Sequence, residues 1–192
     1  MPLLTTQSAK GYGVTLGSTT PVGAFESIAT YTGTQTSAVT FSSIPGTFDH
    51  LQLRITSRGT TSGVNIYANV RANGDTGSNY TYHYFEDSGV DSIGSGASTS
   101  QAQMYSSYTP ASSASTNFYN HMLVDVLDYA SINKYKSFRY ESVAYDGSDG
   151  RAAVMAGAWM NKTSAITSIT ITCASGDWTA NSHFALYGIK GS

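Results

Sequence analysis

Tyr80, Tyr82 and Tyr84 alternate with Thr81, His83 and Phe85 in the run YTYHYF, and Tyr105 and Tyr108 follow further along the chain. A spacing of two places the first three phenols on one face of a strand. Tyrosines so arranged do one of two kinds of work. They stack and hydrogen-bond against a protein or sugar partner, covering area at small entropic cost, or they form a half-buried ladder that stabilises the sheet itself. Both readings stand for these five residues, which make up the candidate interface or ligand face.

Other chemistries find less support. No G-x-S-x-G elbow occurs, and among 28 serines and four histidines a chance Ser/His pair carries no information. His50, His83, His121 and His183 each fall at or within a strand pattern without a second histidine or cysteine at metal-ligand spacing, so surface or interface histidines are expected rather than zinc ligands. Glu86/Asp87/Asp91 and Asp125/Asp128 are the carboxylates close enough in sequence to suggest a glycosidase pair. Such pairs sit ~5–9 Å apart across a cleft and usually come from separate elements, so proximity in sequence decides nothing. Asp125 alternates with Val124 and Val126, which predicts a solvent-facing or hydrogen-bonded carboxylate. The loops NGDTGSN (73–79) and DGSDG (146–150) offer oxygens of the kind calcium takes, but neither has the twelve-residue pattern ending in glutamate. Asx turns explain both more simply. The expectation is a protein without catalytic residues, bound metal or cofactor.

The surface must be unusual. Only 11% of the 192 residues are charged, against about 25% in ordinary soluble domains. Instead the chain carries 28 Ser, 24 Thr, 19 Gly and 14 Tyr, so hydroxyls and phenols cover what charge normally solvates. A net charge of −2 without a basic stripe argues against a nucleic-acid partner. No stretch approaches the ~20 apolar residues of a membrane span, and MPLLTTQSAKGYG lacks the basic start and apolar run of a signal peptide, so synthesis and folding in a cytosol are expected. The single cysteine, Cys173, shares a strand face with Ile169 and Ile171 and is expected to be buried. The sequons at Asn79 and Asn161 are read as chance.

Nearly every apolar run has period two. In HLQLRITSR, Leu51, Leu53 and Ile55 alternate with Gln52, Arg54 and Thr56, the signature of a strand with one dry face. The same reading predicts strands at 25–32, 37–43, 64–70, 80–85, 118–127, 136–145, 151–160, 166–174 and 183–189, with a further one around 101–108. SSIPGTF, ANGDTGSN, YDGSDGR and ASGDWTANS separate them as turns. DYASINKYK (128–136) is long enough only for a turn of helix. The implied fold is all-β, an antiparallel two-sheet sandwich occupying 25–192. Residues 1–24, with Gly11, Gly13, Gly17, Gly23 and Pro21, predict an extended N-terminal arm that needs a surface to lie on. Residues 87–117 read as a Ser/Gly-rich excursion, too long for an idle loop and therefore a functional tip or interface.

The stretch YESVAYDGSDG through AGAWMNKTSAITSITITCASGDWTANSHFALYGIKGS resembles the C-terminal part of a group of small β-rich virion surface proteins of tailed bacteriophages. FESIAT, TFSSIPGTFDHLQLR, NGDTGSNYTYHY, DYASINKYKSFR and the closing FALYGIKG occur in this order, so the likeness covers 25–192. It implies a jelly-roll-like fold, commonly a homotrimer, serving as a capsid decoration (cement) protein or a tail fibre on the outside of the virion, and no enzyme. Tail fibres usually carry a long shaft, whereas about two dozen residues precede the β-domain here. That favours decoration, with Leu3, Leu4, Tyr12, Val14 and Leu16 of the arm contacting the major capsid protein. Repetition over a symmetric shell would multiply a weak contact into avidity. The alternative is a receptor-binding tip in which the tyrosines and the 87–117 segment recognise a host surface glycan. Phe118–Tyr119 and Trp159–Met160, apolar beyond what a two-sheet core needs, motivate the trimer.

Overall fold

The computed structural model describes residues 24–87, 89 and 92–190. Leu3, Leu4, Tyr12, Val14 and Leu16 lie outside the described residues. Twelve strands account for the described chain: β1 (Phe25–Thr32), β2 (Ala38–Phe41), β3 (His50–Thr56), β4 (Asn65–Ala72), β5 (Tyr80–Asp87), β6 (Ile93–Gln101), β7 (Met104–Pro110), β8 (His121–Leu127), β9 (Lys136–Tyr145), β10 (Gly150–Trp159), β11 (Ile169–Cys173) and β12 (His183–Ile189). All pairings are antiparallel, in an eight-stranded sheet ordered β1-β12-β3-β8-β9-β10-β5-β6 and a four-stranded sheet ordered β2-β11-β4-β7.

The connectivity follows from nested pairing. β4 pairs with β7, β3 with β8, β2 with β11 and β1 with β12, and successive members of each arm alternate between the sheets. A long antiparallel hairpin rolled up in this way is a jelly roll. Two hairpins are inserted into it, β5–β6 between β4 and β7, and β9–β10 between β8 and β11. Both extend the same sheet, so one layer is twice as wide as the other.

Alternation fixes which side chains enter the core. KSFRYESVAY of β9 is buried and exposed at strictly alternating positions, and Leu51, Leu53 and Ile55 of β3 are each no more than 1% exposed. They meet Val70, Ile169, Ile171 and Cys173 of the smaller sheet, all buried as period two requires. The turn loops are closed by their own side chains. Asn73 and Gly74 both have positive φ, 51° and 64°, and the Asp75 N–H returns to the Ala72 carbonyl, as in a type I′ turn.

Four expectations are corrected by this arrangement. Within the expected excursion at 87–117, β6 and β7 are part of the sandwich, each forming the edge of one sheet. DYASINKYK folds as turns, with no helix, and its Lys136 is fully buried at the start of β9. Trp159 is a core residue, 1% exposed, and its indole N–H donates to Asp75 Oδ2 at 2.7 Å. Phe118 packs edge-on against Tyr145, ring centroids 4.9 Å apart, within the chain. Of the two pairs that suggested a trimer, Phe118 and Trp159 are used internally, while Met160 is 37% exposed.

Candidate binding cleft

The unequal widths of the sheets create a step. The smaller sheet ends at β7, which packs across β9, β10 and β5 of the larger one. Beyond β7, no second layer of described residues lies above the inward-facing side chains of β10, β5 and β6. In a wider sandwich these positions would be apolar. Here β5 and β6 contribute Tyr82, Tyr84, Glu86 and Ser98, and Ala153 and Met155 of β10 floor the space between them. The facing wall is the edge of the small sheet, Tyr105 of β7 and Tyr67 of β4. Together they bound a solvent-open cleft of about 280 Å³.

The rings are held by one another. Tyr105 meets Tyr82 at 6.0 Å and 64° between planes, and Tyr67 at 6.3 Å and 85°, both edge-on arrangements that aromatic quadrupoles favour. Tyr67 also lies 4.8 Å from Tyr108 and donates its hydroxyl proton to the Tyr108 oxygen at 3.0 Å. The Arg151 guanidinium covers Tyr108 at 4.4 Å from the ring centroid. A β-bulge between Tyr67 and Asn69 shifts the β4–β7 register, which lets Tyr67 face both Tyr105 and Tyr108.

Two charges act on the cleft, Glu86 in its lining and Arg151 at its rim, and they pull the Tyr67 phenol in opposite directions. Burial first, then the hydrogen bond to Tyr108 and the Glu86 charge, push the Tyr67 phenol well above its ordinary range. Burial likewise raises Tyr82, against an opposing pull from the Ser98 hydroxyl. These phenols therefore remain protonated at neutral pH and act as donors and acceptors, not as bases. Glu86 is the single carboxylate lining the cleft, and it joins none of the ion pairs among the described residues. The usual glycosidase mechanism requires two carboxylates.

Of the five tyrosines singled out by sequence, Tyr82, Tyr84 and Tyr105 converge on the cleft and Tyr108 stands at its rim. Tyr80 does not join them. It is fully buried, its hydroxyl donating to the Asp75 carbonyl and accepting from the Ala72 N–H, and burial raises its pKa to about 12. Sequence reading missed Tyr67 and the floor of the cleft. In VNIYANV, Tyr67 stands between inward-facing Ile66 and Ala68, so its outward position was legible but its partner was not.

The remaining candidates separate. Asp87 points to the opposite face of β5 from Glu86, and Asp91 lies outside the described residues. Asp125 accepts from Gln52 Nε2 at 2.8 Å, while Asp128 pairs with Lys134 at 2.7 Å. His50 Nδ1 accepts the Asp128 N–H, and His83, His121 and His183 are exposed. Both oxygen-rich loops spend their carboxylates internally. Asp75 accepts from Trp159, Asn79 and Gly77, and Asp146 from the Ser148 hydroxyl and the Ser148 and Asp149 N–H groups. Among the described residues no three His, Cys, Asp or Glu side chains cluster as metal ligands would.

The outer face of the wide sheet is the second notable surface. Phe85, Val143 and Val154 are 58%, 59% and 50% exposed. Val154 pairs with Phe85 on one side and Glu141 on the other, and Val143 lies diagonally from Val154, opposite Ala152. Glu141 and Asp87 edge this apolar patch. No known family model, curated protein or solved structure matches the chain.

Proposed function

We propose that this chain is a non-enzymatic surface protein of a tailed-bacteriophage particle, a capsid decoration protein that binds the major capsid protein as a homotrimer. It would be made in the cytoplasm of the bacterial host and carried on the outside of the virion, without nucleic acid, membrane or cofactor. The observation that carries the reading is the outward apolar patch of Phe85, Val143 and Val154 on a chain otherwise poor in charge. Contiguous exposed apolar groups mark protein interfaces, whose centres are depleted in charge. The resemblance read in FESIAT, TFSSIPGTFDHLQLR and FALYGIKG motivates the same reading. A second copy is the patch's proposed occupant, and the trimer multiplies each weak shell contact.

The second reading, a tail fibre or receptor-binding tip that recognises a host surface glycan, is favoured by one observation, the tyrosine-walled cleft. Imaging particles that carry a labelled version of this chain separates the two. Label over the head supports decoration, label at the tail supports the tip, and unlabelled particles overturn both. Sedimentation tests the trimer independently, since a single species of 20.3 kDa would overturn it.

A further inference from the structure

We propose that the cleft is a carbohydrate site for an uncharged sugar, a neutral or N-acetylated hexose, and not for an acidic one. The inference deepens the receptor-binding reading and rests on the cleft alone, wherever the protein sits on the particle. A pyranose offers an apolar face of C–H groups and a rim of hydroxyls. Recognition therefore needs aromatic walls and groups that both donate and accept, and the cleft is built from these. Tyr67 and Tyr82 each stand edge-on to Tyr105, at 85° and 64°, so the rings line more than one side of the space and enclose a guest. Phenols that burial keeps protonated, together with the Ser98 hydroxyl, can serve sugar hydroxyls in either sense. At about 280 Å³ the space lies just under the usual range of ligand pockets, about 300–1,000 Å³, which suits a single sugar ring.

Glu86 sets the charge preference. Its carboxylate is the sole formal charge among the lining side chains and takes part in no ion pair among the described residues. A free carboxylate accepts well from two neighbouring hydroxyls, and it repels a uronate or sialate brought against it. Arg151 is held over Tyr108 at the rim, where its charge also reaches Tyr67. It precedes Ala153, the residue paired with Glu86, by two positions on β10. The guanidinium thus stands over Tyr108 at the rim, whereas Glu86 is one of the lining residues.

The test is a printed array of neutral, N-acetylated, uronate-terminated and sialate-terminated oligosaccharides probed with the full chain, followed by calorimetry on the strongest ligand. Neutral or N-acetylated glycans should bind. Tyr105→Ala should weaken the strongest ligand at least about tenfold, and Glu86→Gln about tenfold, as loss of a stacking wall and of a charge-assisted hydrogen bond imply. Ile132→Ser, an exposed position in the connection from β8 to β9 that belongs to neither the cleft nor the outward patch, should leave affinity unchanged. Tyr105 is a surface residue of an edge strand, and a thermal melt verifies that its variant folds; if it does not, Glu86→Gln decides. The proposal is overturned if no array glycan binds, if acidic glycans bind in preference, or if Glu86→Gln binds as the unmodified chain does. Particle labelling reads the location separately. Head labelling together with neutral-glycan binding keeps this inference and overturns the tail reading, and tail labelling with an empty array does the reverse.

Discussion

Tyr84 lies across the backbone of Gly96, its directly paired residue on β6. A Cβ atom at Gly96 would stand 2.6 Å from the Tyr84 hydroxyl oxygen and 2.7 Å from its Cζ, closer than such atoms approach. The glycine is what lets the phenol fold over the sheet edge and join the cleft wall, while the ring covers a backbone that has no side chain of its own. Aromatic residues compensate strand glycines in this way.

Gly96→Ala should therefore act on the cleft more than on the fold. The ring can swing about χ1 to make room, so the thermal midpoint should fall by only a few degrees, roughly the effect of 1 kcal/mol. Affinity of the cleft for its glycan should fall with it. The double variant Gly96→Ala/Tyr84→Ala should bind no more weakly than Tyr84→Ala alone, because both changes act through one ring. Unchanged binding by Gly96→Ala would show that Tyr84 is not positioned by this contact.

The outward patch predicts an assembly phenotype. Phe85 and Val154 are paired across β5 and β10 and face away from the core, so Phe85→Ser/Val154→Asp removes apolar area without touching internal packing. Each side chain buried in an interface contributes about 2 kcal/mol. The double variant should sediment at 20.3 kDa with a secondary-structure spectrum unchanged from the parent. A parent and variant of equal mass would place any self-contact elsewhere.

Arg58 is a buried cation that holds a loop with carbonyls alone. It is 8% exposed, and its guanidinium donates to the Ser115, Phe118 and Ala114 carbonyls at 2.8, 3.0 and 2.7 Å. These carbonyls lie in the connection from β7 to β8, which has no regular structure to satisfy them. Arg58→Met should cost about 3 kcal/mol in urea denaturation, since it strands these acceptors and the Ser112 carbonyl at 3.5 Å while relieving the burial of one charge. Arg58→Lys should recover only part of that loss, because a single ammonium cannot reproduce the planar fork. Equal stability of the methionine and arginine forms would mean that water serves the loop as well.

What the sequence disclosed depended on whether a residue's partner lay on the same strand or on another layer. LQLRIT, SFRYESVAY and ITITC carry their burial in their own alternation, and each became the strand it predicted. IGSGASTSQ has no apolar face and was invisible as a strand. β6 is an edge that pairs only with β5, and no core faces it, so nothing selects for apolar side chains. Trp159 looked like surplus surface because its burial depends on the Asp75 carboxylate, more than eighty residues earlier. The cleft was half legible. Tyr82, Tyr84 and Tyr105 could be nominated by type, but Tyr67, Glu86 and Ser98 join them only because two inserted hairpins widen one sheet and leave a step, a property of the topology and not of any run of residues.

That same Asp75 makes stability depend on acid. Burial alone would raise its carboxyl pKa, but hydrogen bonds from the Trp159 indole, the Asn79 amide and the Gly77 N–H outweigh burial and hold it below the ordinary 3.8. Asp146 behaves alike, its burial outweighed by the Ser148 and Asp149 N–H groups and the Ser148 hydroxyl. In both cases the folded pKa is lower than the unfolded one, so the unfolded state binds the proton first as pH falls. The stabilisation is complete above the unfolded pKa and drains away as pH drops through the folded one. Urea midpoints should be level from about pH 7 to 5 as far as these two groups decide, and fall steeply below about pH 4. Asp75→Asn should lose about 1–2 kcal/mol at pH 7, because a neutral amide is a weaker acceptor for the indole, and should lose less than the parent on further acidification. The two curves then converge at low pH, where the parent carboxyl is itself protonated. Parallel curves across the whole range would show that the Asp75–Trp159 bond is not what acid breaks.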